Sequence, residues 1–155
     1  MTQHAASSLR GLTLAIMVLL VLEFLLGMWV NLFTISWPHY AGSPPSGAVG
    51  ALRSLWWVVA RGPWALRLHI AGGILLGVAA AAHTRAACGR PPLGSRWWSL
   101  VGLVGVLGAA GSGAAFLGDR LPGPSMLMSL GFAVALVGYG MAMTPARRGE
   151  TPRRE

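Results

Sequence analysis

The chain contains no lysine; all twelve of its basic residues are arginine. Acid is scarcer still, with four Asp and Glu in 155 residues, so the formal charge is +8. Charged residues make up only 10% of the chain, against about 25% in soluble domains. Hydrophobic residues reach 54% and mean hydropathy is +0.60. One core in so short a chain cannot hide that much apolar surface, so lipid is the expected solvent. Cys88 is the only cysteine. It excludes an intramolecular disulfide, and with it thiolate zinc sites and iron–sulfur clusters within one chain. A basic balance can point to nucleic acid, but these arginines sit between apolar runs and at the tail, which is a membrane pattern. No hydrolase triad, P-loop, dinucleotide fingerprint or paired-carboxylate site is present.

What the chain does have is long apolar runs. The first, Gly11 to Ile35, is long enough to cross a bilayer, which takes ~20 residues. It is too long for the ~7–15-residue core of a signal peptide, and no small-x-small cleavage site follows it. Glu23 lies near its middle, where a charge costs at least ~2.5–3.5 kcal/mol. Glu23, Gly27 and Asn31 fall on one helical face, a polar and small-residue seam suited to the inside of a bundle.

The pattern predicts an all-α membrane four-helix bundle with spans at about 10–36, 63–83, 97–117 and 125–144. Residues 1–145 form one domain, and 146–155 a disordered basic cytoplasmic tail. The turn-rich Trp37–Gly47 stretch leads to residues 48–60, which are too short to span. That segment holds Trp56 and Trp57 between Arg53 and Arg61, as an interfacial helix does. Gly73 and Gly77 in span two are expected to admit a neighbouring backbone, and Gly105, Gly108, Ser112 and Ala115 to form a smooth face on span three. The residues from His83 to Arg96 read as a basic turn. No internal repeat is evident. With the N-terminus inside, eight arginines (10, 85, 90, 96, 147, 148, 153, 154) lie inside and four (53, 61, 67, 120) outside. This bias places both termini in the cytoplasm of a bacterial inner membrane.

Counting depth along each span places Asn31, His69 and Ser129 in one outer polar layer, roofed by the 36–63 loop with His39. Glu23 falls deeper, beside Gly77, Gly108, Ser112 and Tyr139, and a Glu23–Tyr139 hydrogen bond is expected. The six polar residues Glu23, Asn31, His69, Ser112, Ser129 and Tyr139 would line an outward-opening cavity. Glu23 is either a register device between helices or a proton or ion site. His69, His39 and His83 are the haem or metal candidates, since neutral imidazole suits both. His69 and His83, fourteen residues apart, share a helix face like the paired ligands of two-haem b-type cytochromes. Spans one, three and four contain no histidine, so bis-histidine ligation of haem b would need His39 or a second copy of the chain.

Leu22–Phe33, Arg67–Gly73, Gly111–Leu117 and Ser125–Met128 together resemble a group of small bacterial and archaeal four-span membrane proteins of unassigned function. More loosely, the architecture is similar to the haem-binding bundles of cytochrome b561-like proteins and of haem A synthase halves. That likeness implies haem on an in-helix histidine. The leading expectation is a non-catalytic accessory or assembly subunit in the lipid bilayer, able to pair with itself or a larger complex through its glycine faces. The rival expectations are a b-haem redox protein using His69 and a proton-coupled carrier using Glu23. The topology is testable by labelling single cysteines in a Cys88→Ser background. Ser46→Cys should react with a membrane-impermeant maleimide in intact cells, and Ala146→Cys only after lysis; the reverse pattern would invert the topology.

Overall fold

The computed structural model describes residues 3–33, 48–89, 93–119 and 122–144. Among these the chain is all helix: α1 (Gln3–Phe33), α2 (Ala48–Arg61), α3 (Trp64–Cys88), α4 (Leu93–Asp119) and α5 (Pro122–Met143). Four of them (α1, α3, α4, α5) are long and apolar enough to cross a membrane. These four form a ring in which α1 packs on α3, α3 on α4, α4 on α5 and α5 back on α1, while α2 lies outside against α4 and the edge of α3. The expected disordered tail, and His39 with the loop around it, lie outside the described residues.

Local chemistry accounts for the helix ends. Gly62 donates its N–H to the Val58 carbonyl at 2.7 Å in a turn so tight that a Cβ there would press on Val58. Pro63 follows, in the position before α3 where its missing N–H costs nothing. The Arg67 guanidinium reaches back to the Ala60 carbonyl at 2.9 Å, satisfying an orphan acceptor at the negative end of α2. α3 then runs on through His83 to Cys88, where the sequence had read a turn. Its alanine-rich last turns have high helix propensity, and they bury His83, Thr84 and Ala87.

The closest packing is between α4 and α5, and glycine makes it possible. A Cβ on Gly105 would run into the Ala135 backbone, one on Gly131 into Ala109, and one on Gly138 into Gly102. Gly102, Gly105 and Ala109 on α4 therefore oppose Gly138, Ala135 and Gly131 on α5 in antiparallel register. This corrects part of the expected smooth face: Gly105 belongs to it, but a Cβ on Gly108 would meet nothing. Likewise Gly73 and Gly77 face open space, and it is Gly72 that meets another helix. The ring is closed from α1 to α5 by Phe24 stacked on Phe132 at 4.7 Å. Its interior holds Ile16, Leu20, Leu76, Ala80, Val106, Ala135 and Tyr139.

Gly105→Ala should lower the thermal stability of the detergent-solubilised protein by roughly 1–3 kcal/mol, the usual range for overpacking. Gly108→Ala should be neutral or stabilising by up to ~1 kcal/mol. Equal effects would mean that α4 and α5 do not pack on this face.

Candidate functional site

A carboxylate and an imidazole meet inside two of the long apolar helices. Glu23 Oε2 on α1 stands 2.6 Å from His69 Nδ1 on α3. The contact is close but not aligned as a hydrogen bond, so Nδ1 has no well-directed acceptor. Both side chains are largely enclosed, at 13% exposure for Glu23 and 25% for His69. Each rests on a glycine of the opposite helix. A Cβ on Gly72 would occupy the Glu23 carboxyl, and a Cβ on Gly27 would lie 3.0 Å from His69 Cε1. Glu23 and Gly27 lie one turn apart on α1, as do His69 and Gly72, within a residue, on α3. Two polar side chains and two absent side chains thus interlock in one antiparallel register.

The other expected site residues do not gather here. Asn31 is exposed. Ser129 is exposed too, and its hydroxyl donates along its own helix to the Ser125 carbonyl at 3.2 Å. Ser112 is half-buried on α4. The Glu23–Tyr139 hydrogen bond does not form: the Tyr139 hydroxyl has no hydrogen-bond partner, and its ring meets His83 edge-on with centroids 5.3 Å apart. His83 is eleven residues beyond Gly72 on α3, about 16 Å along the axis. The depth count failed because it measured every helix from its own end. The real register is set by where Glu23 and His69 find their glycines, which puts His69 level with Gly27 and one turn from Asn31.

Two grooves among the described residues, along α2 at Val49, Leu52, Arg53, Trp56 and Trp57 and between α4 and α5 at Val101, Ala133, Val134 and Val137, are lined by none of these six. A second polar cluster, of which only His83 and Tyr139 were singled out from sequence, lies at the Arg10 end of the bundle. It comprises Thr13, His83, Thr84, Ser99 and Tyr139, all buried. The signal was present as isolated Thr and Ser at helix ends, but nothing in their spacing says that four helices bring them together.

Of the haem or metal candidates, His69 and His83 lie among the described residues. His69 brings its Cε1 edge over Gly27 and its Nδ1 against Glu23. His83 is enclosed, and its Nε2 is 2.8 Å from Thr13 Oγ1. Among the described residues no three His, Cys, Asp or Glu side chains cluster as metal ligands do.

Comparison with known proteins places no constraint on this reading: no family model, curated protein or solved structure matches the chain. The fold and the pair therefore stand on the physical observations alone.

Gly72→Ala should separate Glu23 from His69 and destabilise the protein, whereas Gly73→Ala, one residue on, should be tolerated because a Cβ there meets nothing. Thermal unfolding in detergent separates the two. Equal tolerance would mean that Glu23 does not sit over Gly72.

Proposed function

We propose that this chain is a small polytopic protein of the bacterial inner membrane. In this reading α1, α3, α4 and α5 span the bilayer, both termini lie in the cytoplasm and α2 rests at the outer interface. It serves as a non-catalytic accessory or assembly subunit whose Glu23–His69 pair binds a proton within the membrane. The observation that carries this is the 2.6 Å contact between Glu23 and His69 on two apolar helices. An ionisable side chain in a span is expensive, and one whose partner sits opposite on a fitted glycine is retained for a role beyond packing. The apolar exteriors of the long helices, with Leu14, Val18, Val78 and Val104 exposed, suit lipid or a partner helix. Gly73, Gly77 and Gly108, where an added Cβ would meet nothing, would let a second copy or another subunit approach closely.

The same pair supports one rival, a proton-coupled carrier in which Glu23 is the coupling site. A four-span carrier would act as a dimer.

Infrared titration of the protein in lipid vesicles tests the proton site. A protonated-carboxyl band should appear on acidification, vanish in Glu23→Gln and shift in His69→Gln. A band unchanged in Glu23→Gln would refute the assignment. The accessory role predicts stoichiometric recovery of a partner on mild solubilisation. The carrier predicts instead solute-driven proton flux that falls in Glu23→Gln.

A further inference from the structure

The buried cluster at the Arg10 end contains polar atoms that the Glu23–His69 pair does not use. His83 retains 1% exposure and Tyr139 0%. Their bonding can be worked out from hydrogen count. Thr13 Oγ1 has one proton, and it donates that proton to the Leu9 carbonyl at 2.9 Å. With that proton on the carbonyl, the threonine oxygen accepts from His83. In this arrangement His83 Nε2, 2.8 Å away, carries a hydrogen. In the neutral ring Nδ1 is then a bare acceptor, and it is buried without a partner.

Tyr139 supplies the complement. Its hydroxyl is also buried without a partner, and its ring lies against His83 with centroids 5.3 Å apart. Thr84 Oγ1 lies close to the phenol but is not aligned with it, and its own proton goes to the Ser99 carbonyl at 3.2 Å. An acceptor without a donor and a donor without an acceptor thus share one enclosed cluster. Buried polar atoms are rarely left so, and an internal water is the usual solution.

We propose that His83 and Tyr139 form a second proton-binding site, built around one buried water that accepts from the Tyr139 hydroxyl and donates to His83 Nδ1. When His83 takes up a proton, Nδ1–H donates to the water, the water turns to donate to the phenol oxygen, and the phenol O–H swings to Thr84 Oγ1. The groups that meet the imidazole are Thr13 from α1 and Tyr139 from α5, with Thr84 of its own helix and Ser99 of α4 buried in the same cluster. Arg10, Arg85 and Arg96 lie toward the same end, the first two exposed and the third half-exposed. Among the described residues no carboxylate faces the site; Glu23 is ten residues along α1 from Thr13, about 15 Å away. The layer of Ile16, Leu20, Leu76 and Ala80 lies between. The site is therefore independent of the Glu23–His69 pair.

The test is nitrogen NMR of the full-length protein, labelled at histidine and held in lipid bilayers. His83 should be the Nε2–H tautomer, with Nδ1 hydrogen-bonded and cross-relaxing with water, and should become doubly protonated on acidification. Tyr139→Phe, which keeps the ring, should move the Nδ1 signal to that of an unbonded nitrogen and leave His69 unchanged. Glu23→Gln should shift His69 and leave His83 unchanged. An Nδ1–H tautomer in the unaltered protein would overturn the proposal, whatever the variants do. So would an Nδ1 signal indifferent to Tyr139→Phe, or a His83 that stays neutral until the bundle unfolds.

Discussion

The contact between Glu23 and His69 marks the register of α1 against α3. Two long apolar helices can slide past one another at little cost, because one aliphatic surface packs against another much as well one turn further on. A carboxylate cannot slide. It has one partner, His69 at 2.6 Å, and one place to sit, over Gly72. The imidazole in turn has Gly27. Shifting α1 by a turn against α3 would leave a charge-bearing group against aliphatic side chains, which costs several times the energy of any single apolar contact. The pair selects one register from several of similar packing energy.

α4 and α5 solve the same problem without polar groups. Their register comes from shape, with backbone laid against backbone at Gly105 and Ala135, Gly131 and Ala109, and Gly138 and Gly102. The ring thus has one side held by a polar pair and glycine seats, and another held by glycine contact alone. At the Arg10 end the two halves meet, where Tyr139 from α5 reaches across the ring to His83 on α3 and Thr13 from α1 meets the Nε2 edge of that imidazole. Two polar clusters, separated by the Ile16, Leu20, Leu76 and Ala80 layer, lie at different depths of the bundle.

Much of the helix content was legible in the chain, and for a simple reason. An apolar run of about 20 residues has few alternatives to a helix when lipid is the expected solvent. The start of α3 was equally readable, because proline's fixed φ and missing N–H suit the first position of a helix. The end of α3 was not, since Arg85 looked like part of a loop while the alanines around it carried the helix on. Glu23 and His69 were each recognisable as costly residues, but not as partners.

The sequence by itself determined which residues are too polar to ignore, which segments are helical and which of them are apolar enough to cross a membrane. Those properties follow from composition and from interactions within about one turn. Only the tertiary structure decided that Glu23 meets His69 rather than Tyr139, that Gly72 rather than Gly73 or Gly77 is the contact glycine, and that His83 is enclosed by Thr13 and Tyr139. The reason is register. The relative sliding and rotation of helices depend on matching surfaces far apart in the chain, and no local pattern carries that information.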